Sequence, residues 1–251
     1  MSVSEAHLRE VAAHATEMLD KFGGRWRDKV DPSTPAFAPH EGRSQDLFQL
    51  FLLAQVRYLL PAYGGRCLDE RAADAAIVAG DYFCGPWHQT YPEIDIRKQW
   101  FDELRIGLLL SLVAQRTDIL NQLLGYPQYD LPHDEGSWNR TRSDNQFYIA
   151  LGKSLVTAEA VEPETLKGKR PALLWHIVGS ILAADSAGFA TSFAIYMKWY
   201  KKNEFPHQGN NLVTCLDGSI LLQIAKMRGM DTQGVWTMDQ DLLINCVGKP
   251  Q

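Results

Sequence analysis

The side chains with the widest chemical range in this 251-residue chain are its seven histidines and four cysteines, so their spacing decides which sites are available. Cys67, Cys84, Cys215 and Cys246 stand far apart and include no C-x-x-C pair, which removes a zinc ribbon and a thioredoxin-type couple and predicts reduced, mostly buried thiols. His133, Asp134 and Glu135 are adjacent and together offer nitrogen and carboxylate donors. Neighbouring residues converge on one ion only with ligands from elsewhere, such as His88 or His207, so solvated loop charges are the competing reading. His176 lies among Leu174, Trp175 and Ile177, where a core or boundary histidine held by a hydrogen bond is expected in place of a general base.

Gly152-Lys153-Ser154 looks like the end of a phosphate-binding loop, but that pattern needs a glycine where Phe147 stands, inside a helical apolar stripe. Neither G-x-S-x-G nor H-E-x-x-H occurs, so a hydrolase elbow and a zincin helix are both missing. These motifs therefore assign no catalytic residue, no metal and no cofactor.

The more promising chemistry is recognition. Residues 125–142, GYPQYDLPHDEGSWNRTR, have no helical stripe and read as a long surface loop. Tyr126, Tyr129 and Trp138 alternate there with Asp130, Asp134 and Glu135, and Asp144 follows shortly after. Aromatic anchors carry binding energy at protein interfaces and the acidic groups steer a basic partner, so these seven residues are the candidate partner-binding set. The alternative is that the aromatics fold back and pin the loop to the helices. Lys198, Lys201 and Lys202 beside Trp199 and Tyr200 form a basic helix end, which the helix dipole already favours.

The elements that must position such residues are helices. The chain is 45% apolar and 22% charged, enough to build a core without staples. Its 25 Lys and Arg against 30 Asp and Glu leave a net charge of −5, no footprint for nucleic acid. The residues from Met1 to Glu10 lack an apolar signal core, and the longest apolar stretch, Ile106 to Ala114, is far short of a bilayer span, so a cytoplasmic protein without membrane segments is expected.

Periodicity and punctuation predict a helix over about 3–22, with Ser2 and Glu5 as capping box and Gly23-Gly24 as stop, then a proline-containing loop over 25–43. Further helices are expected from Ser44, from Asp69 to Cys84, from Asp95 to Gln115 with an all-apolar middle, from Thr117 to Leu124, and from Ser143 through Leu155. Pro171 suits the first turn of a helix to about Ala184, and Ser186 to Gly188 interrupts before another from Phe189 to Lys201. Asp217 is read as the cap of a helix over Ser219 to Arg228, Gly229 as its C′ residue, and a short helix is placed near Asp239 to Leu243. The sum is one all-α domain over residues 1–251, with roughly nine or ten helices packed as irregular antiparallel hairpins.

The run Trp100-Phe101-Asp102-Glu103-Leu104 through Ala114, with Arg116, Asp118 and Tyr126-Pro127, resembles the central hairpin of the immunity protein 49 family of bacterial polymorphic toxin systems. The stretch Leu216-Asp217-Gly218-Ser219 to Arg228-Gly229, followed by Asp241-Leu242-Leu243, is similar to that family's closing segment. The resemblance implies an all-α cytosolic protein that protects its cell by binding a toxin encoded beside it, and it carries over no catalytic residues. The expected function is thus occlusion of a cognate toxin. The alternatives are an all-α metal-dependent hydrolase using His88, His133, Asp134 and Glu135, or a helical scaffold or regulatory protein.

Overall fold

The computed structural model describes residues 4–22, 101–113, 115–124, 147–148, 150–155, 168–205 and 214–244. Among them are eight helical segments and no strand. They are α1 (Glu5–Phe22), α2 (Phe101–Val113), α3 (Thr117–Leu124), α4 (residues 147–148 and 150–155), α5 (Lys169–Leu182), α6 (Ser186–Asn203), α7 (Leu216–Met227) and α8 (Gln233–Met238). The described part of the protein is all-α. The expected helices over 44–60 and 69–84 and the expected loops over 25–43 and 125–142 lie outside the described residues.

Two helices without a solvent face organise the packing. In α2 every residue from Ile106 to Leu112 is buried, and in α7 every residue from Leu216 to Ala225 is buried. A helix that is apolar on all sides has to be enclosed by others, and here α2 and α7 pack on each other, with α3 against α2 and α5 against α7. Ser111 sits within this core at no net polar cost because its hydroxyl donates to the Gly107 carbonyl at 2.7 Å. On the outside of α5 lies α6, the most extensive helix pair, and α8 packs against α6.

Local chemistry sets the boundaries, with four departures from expectation. In α1 the cap is Ser4, whose Oγ accepts from the His7 amide at 3.2 Å, while Glu5 pairs with Arg9 one turn on. Ser186 to Gly188 is the first turn of α6 and not an interruption, since the Asp185 carboxylate accepts from the Gly188 amide at 2.9 Å and caps the helix there. The chain turns between α5 and α6 through Ala184, which stands at φ 52°. The terminal helix is Gln233–Met238, earlier than expected.

After a turn, Leu242 to Ile244 run as a buried strap across α7. The Cys215 amide donates to the Leu242 carbonyl at 2.8 Å, the Ile244 amide donates to Ser219 Oγ at 2.9 Å, and Gln223 Nε2 donates to the Ile244 carbonyl at 3.0 Å. Ser219 and Gln223 are one helical turn apart, so these two polar residues of a buried helix serve as docking points for the strap. Gly229 takes φ 76° after α7, as expected of a C′ glycine.

Candidate functional site

The fourth departure is Asp217. It follows Leu216 in the first turn of α7 and caps nothing, because the N-cap position is Cys215 and makes no side-chain cap bond. Instead its carboxylate is 2% exposed and gathers side chains from four other helices. Arg105 of α2 donates from Nη1 to both oxygens at 3.2 Å. Arg170 of α5 donates from Nε at 3.1 Å and from Nη2 to Oδ2. Tyr148 of α4 donates its hydroxyl to Oδ1 at 2.6 Å, and the Tyr196 hydroxyl of α6 stands 3.4 Å from Oδ2 and 3.4 Å from Cys215 Sγ.

Charges of both signs meet in this knot. Arg170 lies in the first turn of α5, where the helix dipole opposes a cation, and the nearby Glu204 carboxylate, 3.6 Å from Nε, joins Asp217 in compensating it. Among the described residues two guanidiniums face two carboxylates, and an anion at Asp217 is further favoured by the α7 N-terminus.

Protonation states follow from these neighbours. Burial is the largest influence on Asp217 and pushes its carboxyl up, but Arg170, then Arg105, then the Tyr148 hydroxyl together overcome it and hold the group well below the usual carboxylate range. Burial pushes the Cys215 thiol up to about 12, with the Asp217 charge adding to the effect. Burial likewise raises the Tyr148 and Tyr196 phenols well above their ordinary value, reinforced by Asp217 for the first and by Cys215 and Asp217 for the second. At neutral pH the knot therefore holds an ionised carboxylate, a protonated thiol and protonated phenols. None of these states suits proton transfer or nucleophilic attack, both of which need a pKa near the working pH or an activated anion. The arrangement joins five helices at one point.

A groove lies on the other side of α6. Tyr196 and Tyr200, four residues apart, face the knot and are buried. Lys198 and Lys202, with the same spacing, are exposed and border a groove of about 490 Å³ between α6 and α8. Phe193, Ala194, Val235 and Met238 form its apolar wall, and Lys201 reaches Asp239 at the C-cap of α8 in an ion pair.

Of the residues singled out in the sequence, Tyr126, Tyr129, Asp130, Asp134, Glu135, Trp138 and Asp144 lie outside the described residues, as do His88, His133 and His207. His176 is exposed on α5, not in the core, because Leu174, Trp175, Ile177 and Val178 occupy the inward face on either side of it. Cys215 is a buried free thiol, as expected. Gly152-Lys153-Ser154 lies within α4, and Gly152 is required by packing, since a Cβ there would stand 2.7 Å from the Leu124 carbonyl oxygen. Among the described residues no three His, Cys, Asp or Glu side chains form a metal-holding group, and no helix is long and apolar enough to cross a membrane.

Sequence reasoning missed the knot, although a signal was present. An aspartate beside Leu216 and one turn before Ile220 and Leu221 must be buried if the helix is central, and a buried carboxylate needs a cationic partner. Arg105, at the edge of the apolar run in α2, is a cation of the kind such a carboxylate needs. Fold and site together define an all-α protein built around a sealed ionic knot. Comparison with protein-family models, curated proteins and solved structures finds no match for the chain.

Proposed function

We propose that this chain is a non-catalytic binding protein, an immunity factor that neutralises a cognate bacterial toxin by covering its active or entry surface. The observation that supports this reading most directly is the state of the Asp217 knot. Its ionisable groups are engaged with one another and held away from reactive protonation, while α6, one of the helices they clamp, presents a groove and charged side chains outward. Such a body is preorganised, and preorganisation lowers the entropic cost of association that otherwise erodes affinity. The resemblance of 100–127 and 216–243 to the immunity protein 49 family supports the same reading, and the acidic-aromatic stretch from Tyr126 to Asp144 offers anchors and, if the toxin is basic, charges that speed encounter.

The test is co-expression with the toxin domain encoded by the adjacent reading frame, followed by purification of a complex. Growth rescue with a stable stoichiometric complex is the expected result. Rescue without a complex, or stoichiometric bound metal that is lost in a His133→Ala variant, would replace this reading with an enzymatic one.

A further inference from the structure

The helix dipole accounts for cations in the last turn of α6, where Lys201 and Lys202 lie, but it accounts for neither Lys198 nor the apolar groove those lysines border. Ile195, 53% exposed, precedes Lys198 by three residues on the same face of α6, and Met238, 63% exposed, lines the groove from α8. An apolar wall with ammonium groups along its edge is thus presented on a chain whose net charge is −5, so the local sign is opposite to that of the molecule. The Asp239 carboxylate already engages Lys201 there. It shows how a carboxylate meets this row of lysines and leaves Lys198 and Lys202 for a second one.

We propose that the groove between α6 and α8 is a docking surface for an acidic segment of the protein partner, one that places an apolar side chain against the exposed Ala194 and Met238 and sets carboxylates on Lys198 and Lys202. This rests on the reading of the chain as a toxin-binding protein and adds the chemistry of a contact that the acidic stretch over 126–144 does not supply. Complementary rim charges govern encounter, and a desolvated apolar anchor governs residence.

The experiment compares the full chain with a Lys198→Glu/Lys202→Glu variant and a Met238→Asp variant, each titrated against the toxin domain of the adjacent reading frame over a salt series. Circular dichroism and melting of the free proteins confirm that these exposed substitutions leave the fold intact. The charge reversal is expected to slow association about tenfold at low salt and to flatten its salt dependence, and Met238→Asp to speed dissociation. A Lys198→Arg/Lys202→Arg variant should behave as the parent chain. A parent chain that binds no toxin would refute the proposed function itself. If the parent binds and both variants bind equally well, the groove assignment is wrong and the function stands. Two other outcomes also overturn the assignment. One is self-association of the parent chain abolished by Lys198→Glu/Lys202→Glu, and the other is binding to phosphatidylserine vesicles abolished by it.

Discussion

Replacing Asp217 by Asn tests whether the ionic knot holds the helices together. At 3.2 Å from Arg105 Nη1, an ion pair at an effective dielectric of about 20 has a gross attraction of about 5 kcal/mol, and Arg170 makes a second such contact. Desolvation of the three charges offsets much of this, so the gross figure is not the stability at stake. The measurable quantity is the cost of removing one partner, typically about 3–5 kcal/mol for a buried pair, because the remaining charges are left uncompensated. In Asp217→Asn the new amide group turns donors toward Arg105, Arg170 or the Tyr148 hydroxyl, all of which donate to the carboxylate in the parent chain. We therefore expect a loss of about 3–5 kcal/mol in urea unfolding at neutral pH, a large share of the ~5–15 kcal/mol of a typical domain. Arg170→Met should cost less in the Asp217→Asn background than in the parent, since the two residues share one interaction.

The pH dependence supplies an independent check. A carboxylate whose pKa is depressed by folding contributes its full stabilisation above the unfolded value of about 3.9, and that contribution is lost as pH falls toward the folded value. The gap between the parent and Asp217→Asn should hold steady around neutrality and narrow between about pH 5 and pH 2. A loss below about 1 kcal/mol at neutral pH, or a gap that does not change in acid, would refute the reasoning.

Other substitutions probe the scaffold and the proposed interface. Gly152→Ala should cost about 1–3 kcal/mol in the same assay, because the added methyl meets the backbone oxygen of Leu124, which cannot rotate away as a side chain would. Ala184→Gly should raise the melting temperature slightly, as φ 52° carries a penalty of roughly 1–2 kcal/mol for an L-residue, offset in part by the greater unfolded-state freedom of glycine. Neutralising Asp130, Asp134, Glu135 and Asp144 together as Asn and Gln should slow association with a basic toxin at low salt, and an unchanged rate would remove these residues from the encounter.

Helix existence was legible wherever the signal was local. Thr117 to Leu124 matches its predicted boundaries because a threonine start and a following glycine and proline bracket one amphipathic stripe. The all-apolar run from Ile106 correctly announced a central helix. The candidate interface is another matter. The dipole explained the lysines at the end of α6 without the groove, since the groove exists only once Val235 and Met238 of α8 pack alongside Phe193.

Composition and periodicity were enough to determine an all-α fold with one enclosed helix, because burial preference and helical spacing act within a few residues; that a second helix, Leu216–Met227, is enclosed beside it came from the structure. Which charges meet inside was decided by the tertiary structure alone. Asp217 finds Arg105 at a separation of 112 residues and Arg170 at 47, and although its apolar neighbours point to burial, nothing in the chain names the cations it meets. Coulomb attraction depends on distance in space, and only the packing of α2, α5 and α7 brings those side chains to about 3 Å.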